Sequence, residues 1–264
     1  MPAQAHRPRR SCLYMPGANA RALEKAKGLS ADTLIFDLED AVAPEAKADA
    51  RAAILNAVQG GGYDPREIVV RIADIDRLDA ALTAAGAPAE FGLWVMIEMP
   101  LAILNIKEIA EAAHRTRLVA FVMGTNDLAK EYRARATPDR IAFQTALGLS
   151  MAAARAYGLV AIDGVFNDIK DENGLMDECE QGRTLGFDGK TLIHPSQLES
   201  ANRIFAPSPH DVEQAKAVIE AFADPENAGK GVLKVNGKMT ELLHLDEARR
   251  TVAMDQAIKA FEAA

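Results

Sequence analysis

The sequence predicts an α/β barrel, on three observations. From Ser11 onward, short apolar runs alternate with stretches of helical spacing, the pattern of parallel strands with helices packed around them. Polar residues fall at the C-terminal ends of those runs, where a barrel keeps its chemistry and where a charge need not be forced into the core. At 264 residues and 49% hydrophobic, the chain can bury one large core.

The first run, Ser11 to Met15 (SCLYM), reads as a strand closed by Pro16-Gly17, and Ala20 to Lys27 has the spacing of a helix. The stretch Thr33 to Arg51 organises the rest. Leu34, Ile35 and Phe36 read as a strand covered on both faces, and Asp37, Glu39 and Asp40 crowd its end. Three neighbouring acids repel one another, so water, a cation or the downstream Lys47 and Arg51 must compensate them. Pro44 sits where a helix starts, and Glu45 to Val58 continues it. After a triple-glycine loop, Ile68 to Ile72 (IVVRI) reads as a strand with Arg71 near its end, and residues 74–85 as a helix ended by Gly86. Further strands are predicted at Leu93 to Ile97, Leu118 to Met123, Val160 to Val165 and Lys190 to Ile193, with helices between them. Beyond Phe205 comes a smaller appendage: a helix over His210 to Phe222, a hairpin turned at Asn236-Gly237 and a final helix from Asp246 to Phe261. The expected division is a barrel over 1–205 and a C-terminal extension over 206–264.

A formal charge of -8 argues against a nucleic-acid partner. The one basic run, HRPRR at the N-terminus, is expected to be a solvated tail. No apolar run approaches the roughly 20 residues that span a bilayer, and no signal-type apolar segment follows the basic run, so a cytoplasmic protein is expected. Cys12 and Cys179 lie far apart without metal-like spacing, which points to structural thiols in a reducing compartment.

Candidate site residues are those at the strand tips. Glu98 follows LWVMI, Asp127 follows LVAFVMG, Asp163 lies within VAIDGV and His194 follows KTLI. Glu98 and Asp127 would stand side by side, and two oxygen ligands with room for water suit Mg²⁺. Arg71 could hold a substrate carboxylate through both guanidinium edges. Each has a structural alternative. Glu98 could end its strand, Asp127 could cap the next helix, Arg71 could pair with the acids after the second strand, and His194 could be a hydrogen-bonded structural residue. Convergence on one rim favours a site.

The segments SCLYMPGANARALEKA, FDLEDAVAPEAKADAR, VVRI, IEMP, GTNDLA, AIDGVFNDIKDENGL, LGFDGKTLIHPSQ, FAPS and NGKM together resemble the citrate lyase beta-subunit-like branch of the HpcH/HpaI aldolase family, over nearly the whole chain. The resemblance implies a (β/α)8 TIM barrel of the phosphoenolpyruvate/pyruvate type. It also implies a lyase that cleaves citramalyl-, malyl- or citryl-type CoA thioesters into acetyl-CoA and a 2-oxo acid with Mg²⁺, or Mn²⁺ in its place. By the same resemblance Glu98 and Asp127 are the metal ligands, and Arg71 faces the substrate's carboxylate and oxo group. Tyr14, Arg21 and Lys25 contact coenzyme A, Lys47 and Arg51 lie on the substrate side, and Asp163 lines the pocket. Asp37, Glu39 and Asp40 lie around the metal's water shell, with Asp37 also a catalytic candidate. Glu241 takes the place of an aspartate that reaches over a neighbouring subunit's site in a homotrimer or hexamer, and is the candidate acid/base. Malyl-CoA thioesterase action, a class II pyruvate aldolase and an inactive acyl-CoA-binding partner subunit are the alternatives. Cations placed to meet nucleotide phosphates argue against the aldolase.

One departure stands out. Relatives carry a further strand between the VVRI strand and the one leading to the glutamate, whereas here the predicted strands number seven. A barrel unit averages roughly 30 residues, so about one βα unit is missing near residues 72–73. Either the strand and its helix are truly absent, leaving an open or seven-stranded barrel, or a segment is lost at that point; the second is expected, with a Cα separation between Ile72 and Ala73 well above the roughly 3.8 Å of a trans peptide.

Overall fold

The computed structural model describes residues 7–38, 42, 44–71, 84 and 92–264. The expected break at Ile72-Ala73, the helix expected over 74–85 (Ala84 apart), Glu39, Asp40 and the side chains of Lys47 and Arg71 lie outside the described residues.

The elements follow one another as strand and helix: β1 (Ser11–Pro16), α1 (Ala20–Ala26), β2 (Thr33–Asp37), α2 (Lys47–Gly60), β3 (Glu67–Arg71) and β4 (Leu93–Ile97). Next come α3 (Pro100–Leu104), α4 (Ile106–Glu111), β5 (Leu118–Met123), α5 (Thr125–Tyr132), α6 (Gln144–Ala156), β6 (Val160–Asp163), α7 (Glu172–Leu185), β7 (Gly189–Leu192) and α8 (Leu198–Phe205). The seven strands begin within one residue of where the apolar runs put them.

All seven pair in parallel, in the order β3-β2-β1-β7-β6-β5-β4. Because β1 joins β7, first to last, the sheet curls round as a TIM barrel does, and its seam falls between β3 and β4. Those two strands have no pairing with each other among the described residues. The seam is where counting along the sequence puts the missing unit.

The pleat sorts side chains into two cores. Cys12, Ile35, Val122 and Ile162 meet inside the curl with Tyr14, Val69, Trp94 and Met96. Their sequence neighbours Leu13, Leu34, Phe36 and Leu192 turn outward against the helices, as do Ile97, Phe121 and Met123 on the other side. Each such burial stabilises by about 1.5–3 kcal/mol. The expectation of a solvated basic tail is corrected at its end. Arg10 is buried on Asp32, with Nε 2.9 Å from Oδ2, and Arg9 reaches Glu67 at 2.6 Å. These pairs fasten the start of β1 to the segments that open β2 and β3.

Arg9–Phe205 forms one compact unit, and the residues from Ala206 onward belong to another. In the latter, α9 (Pro209–Ala223) starts on a reciprocal Ser208/Asp211 cap. It is followed by the antiparallel pair β8 (Val232–Val235) and β9 (Lys238–Glu241), then α10 (Leu242–Glu262). The hairpin turns on Asn236 and Gly237, at φ 48° and 82°, the left-handed pair a two-residue hairpin needs. Among the described residues no helix is long and apolar enough to cross a membrane.

Candidate active site

The strand ends that carry the predicted site residues lie on one rim. Register pairs Pro16 with Asp37 and Asp37 with Arg71, and on the other side Ile97 with Met123. A cavity of about 440 Å³ opens there, walled by Tyr14, Asp37, Met96, Met123, Asn126, Asp127 and Thr191 among others. Pleat alternation accounts for Asp37 in that wall and for Glu98 beside it. Asp37 stands two residues after Ile35, and Glu98 two after Met96, so both continue the inward-facing rows.

Glu98 directly follows β4, and Asp127 lies in the first turn of α5, just after the neighbouring β5. The Gly124 amide donates to the Ile97 carbonyl at 3.0 Å, which holds the entry to α5 against the end of β4. A Cβ at Gly124 would lie 2.4 Å from the Glu98 Cβ and 2.8 Å from its Oε2. Only glycine leaves room for the Glu98 side chain beside the first turn of α5, which carries Asp127. This cradle, with Asp127 and Asp37 lining the cavity, offers oxygen donors and no thiolate or imidazole, the set that suits Mg²⁺. Among the described residues no three acidic, histidine or cysteine side chains gather tightly enough to hold an ion by themselves. An ion here would therefore keep waters, as Mg²⁺ does.

Tyr14 lines the cavity from β1, its hydroxyl 3.4 Å from the Met96 sulfur. Arg21 and Lys25 are exposed, one turn apart on the same face of α1, and do not line the cavity. Arg51 is exposed on α2. Glu241 lies in the C-terminal unit, where it ends β9 and its amide donates to His244 Nδ1 at 2.9 Å. His194 is exposed, and its Nδ1 accepts the Ser196 amide at 3.2 Å.

The structure does not bring Asp163 to the cavity. Ile162 faces inward, so the pleat sends Asp163 outward, where it is fully buried beneath α7. Arg140 Nη1 lies 2.7 Å and Lys190 Nζ 3.2 Å from its oxygens, and Lys190 also reaches Glu178 at 2.5 Å. Burial alone would push this carboxyl up. The charges of Lys190 and Arg140, with hydrogen bonds from Arg140 and the Gly164 amide, more than offset that, and hold it below the usual carboxylate value. Sequence reasoning missed this network and the cavity walls from Asn126, Thr191 and the methionines. The signal for the network was a lysine inside an apolar strand run, KTLI.

The HpcH/HpaI aldolase/citrate lyase family model matches residues 10–81 and 77–195. A (3S)-malyl-CoA thioesterase of Cereibacter sphaeroides is 48% identical over 288 aligned positions that take in all of both chains. Since this chain has 264 residues, at least 24 of those positions have no residue here. The citrate lyase beta subunit of Haemophilus influenzae is 34% identical, over 91% of this chain and 94% of that one. Among solved structures, protein CitE of Mycobacterium tuberculosis in complex with magnesium, acetoacetate and coenzyme A has a TM-score of 0.70 at 26% identity, covering 93% of this chain and 97% of that one. The chain belongs to the HpcH/HpaI aldolase/citrate lyase family.

Proposed function

We propose that the chain is an Mg²⁺-dependent carbon–carbon lyase that cleaves a 3-hydroxy-carboxyacyl-CoA of the malyl, citramalyl or citryl type into acetyl-CoA and a 2-oxo acid. The observation that carries this reading is the rim cavity with Asp37 and Asp127 in its wall and Glu98 cradled against Gly124. The family resemblance and the magnesium, acetoacetate and coenzyme A named with the CitE neighbour support it.

Glu98 and Asp127 would hold the ion. Bound there, it supplies positive charge that acidifies the substrate hydroxyl and offsets charge on the oxo acid. Arg71, at the end of β3, anchors the carboxylate of the oxo fragment. Asp37 takes the hydroxyl proton. The carbon–carbon bond then breaks, and its electron pair passes to the carbon next to the thioester. Glu241, contributed by a second copy of the chain, returns a proton to that carbon and completes acetyl-CoA. The exposed Arg21 and Lys25 meet the phosphates of coenzyme A. Tyr14 and the methionines keep water from the departing enolate.

A thioesterase reading is favoured by the 48% identical relative of that name. The two are separated by their products: acetyl-CoA with a 2-oxo acid for the lyase, free CoA thiol with the intact hydroxy acid for the thioesterase. Malyl-, citramalyl- and citryl-CoA are incubated with Mg²⁺, with and without EDTA, and both product pairs are followed. Activity indifferent to EDTA, or undiminished in Glu98→Gln, would overturn the two-carboxylate site. Thiol release without oxo acid would replace the lyase by the thioesterase.

A further inference from the structure

The rim cavity restricts one substituent of the substrate beyond what the lyase reading requires. In a 3-hydroxy-carboxyacyl thioester, the carbon that bears the hydroxyl carries four groups. Its hydroxyl and carboxylate go to the metal side, at Glu98 and Asp127. The acyl arm leaves through the mouth, because coenzyme A is far larger than a cavity of about 440 Å³. The fourth group is then turned to the inner wall.

That wall is made by Thr191 on β7, Ile193 just after it, Tyr14 on β1 and Met96 on β4. Its side-chain protons are already committed. The Thr191 hydroxyl, on a residue 1% exposed, donates to the Asp163 carbonyl at 2.9 Å, and the Tyr14 hydroxyl donates to the Met96 sulfur at 3.4 Å. Thr191 therefore offers this space lone pairs and a methyl group. Among the described residues no lysine or arginine lines the cavity, whereas Asp37 and Asp127 do. In the lyase reading Arg71 already holds the carboxylate that every such substrate carries. A second carboxylate on the inner wall would meet neither a donor nor a cation, with like charge close by. An alkyl group would bury against thioether and methyl carbons.

We infer, resting on the lyase reading, that this wall selects a short uncharged alkyl group on the hydroxyl-bearing carbon. The fragment released is then a 2-oxo monocarboxylic acid with a short alkyl chain, as from a citramalyl thioester. A citryl thioester, whose fourth group is a carboxymethyl, is rejected. A malyl thioester, which has hydrogen there, is accepted but forgoes the apolar contact.

The test has a binding arm and a turnover arm. In the first, glyoxylate, pyruvate, 2-oxobutyrate and freshly dissolved oxaloacetate are titrated by calorimetry into the intact chain with Mg²⁺ and no thioester. Pyruvate binds about fourfold more tightly than glyoxylate, the worth of one buried carbon, and oxaloacetate at least about tenfold more weakly than pyruvate. In the second, kcat/KM is compared for citramalyl-, malyl- and citryl-CoA, and follows the same order. Ile193 is 37% exposed, so the fold tolerates a lysine there, and Ile193→Lys raises oxaloacetate relative to pyruvate by about tenfold or more. Met96→Ala hollows the wall and moves the preference from pyruvate toward 2-oxobutyrate. The inference is overturned by oxaloacetate binding as tightly as pyruvate, by no oxo acid binding at about 10 mM, or by citryl-CoA being cleaved as fast as citramalyl-CoA. Oxo acids that bind in the expected order to a chain that cleaves none of the thioesters would sink the lyase reading instead, and leave the selectivity of the wall standing.

Discussion

Replacing Gly124 with alanine tests the cradle directly. The new Cβ would sit 2.4 Å from the Glu98 Cβ, 2.8 Å from its Oε2 and 3.3 Å from the Met96 Cε. Contacts this short cannot persist, and because the Glu98 Cβ is fixed to its backbone, the end of β4 and the entry to α5 must move apart, carrying the Glu98 carboxylate away from Asp127. The fold should lose about 1–3 kcal/mol, the usual cost of overpacking a filled site. Displacing the carboxylate of this candidate ligand should weaken Mg²⁺ binding by about 10–100-fold, the range for disturbing a group that orients a metal site. Gly148→Ala is the control. It sits in α6 with nothing within 4 Å of its added Cβ, and should gain about 0.5–1 kcal/mol of helix stability. Calorimetric Mg²⁺ titration of the two variants, with urea midpoints alongside, gives both quantities. Unchanged Mg²⁺ affinity in a folded Gly124→Ala protein would refute the argument that this glycine makes room for a metal ligand.

Three further outcomes follow from the buried groups. Lys190→Met takes away the close cation of Glu178 and leaves Asp163 with Arg140 alone, and should cost about 3–5 kcal/mol by urea denaturation. Asp163 holds its proton less readily folded than unfolded, so its contribution is complete above the unfolded value of about 4 and is lost as pH falls through the lower folded value. Asp163→Asn should flatten that acid-side loss when midpoints are compared across the range. Burial pushes the Cys179 thiol up to about 12 and raises Cys12 as well, so neither should react with a disulfide reagent at about pH 8 until the chain is denatured.

The strands were legible because parallel strands covered on both faces read as unbroken apolar runs bounded by polar tips. Asp37 shows how far that goes. Its place at the end of TLIFD predicts a rim position, and it lines the cavity. Asp163 shows where it stops. An apolar run covered on both faces gives no alternation from which to tell inside from outside, and a shift of one residue along the pleat reverses the side a charge faces. The partners that hold it, Arg140 on a loop and Lys190 on β7, are separated from it by 23 and 27 residues, and nothing local couples them. Arg9 and Arg10 were misjudged for the same reason, since their acids lie on segments far along the chain.

The seam between β3 and β4 bears on the site more than on the core. The family model matches in two stretches that overlap at residues 77–81, and at least 24 positions of the alignment with the 48% identical relative have no residue here. Arg71 ends the strand on one side of the seam, and Glu98 follows the strand on the other. In a closed barrel their spacing would be fixed through one intervening strand. Among the described residues the hydrogen-bonded path between them runs the long way, through β2, β1, β7, β6 and β5. Pairwise twist has five intermediate strands over which to accumulate error, so the half of the site built on β1 to β3 is less firmly registered against the half on β4 and β5. Binding energy from a substrate that spans Arg71 and the Glu98–Asp127 pair would have to close that distance, which lowers affinity without removing any ligand. Inserting the matching segment of the 48% identical relative after Ile72 should therefore tighten substrate binding and raise the urea midpoint together. A gain in neither would mean that residues 72–91 already bridge the seam.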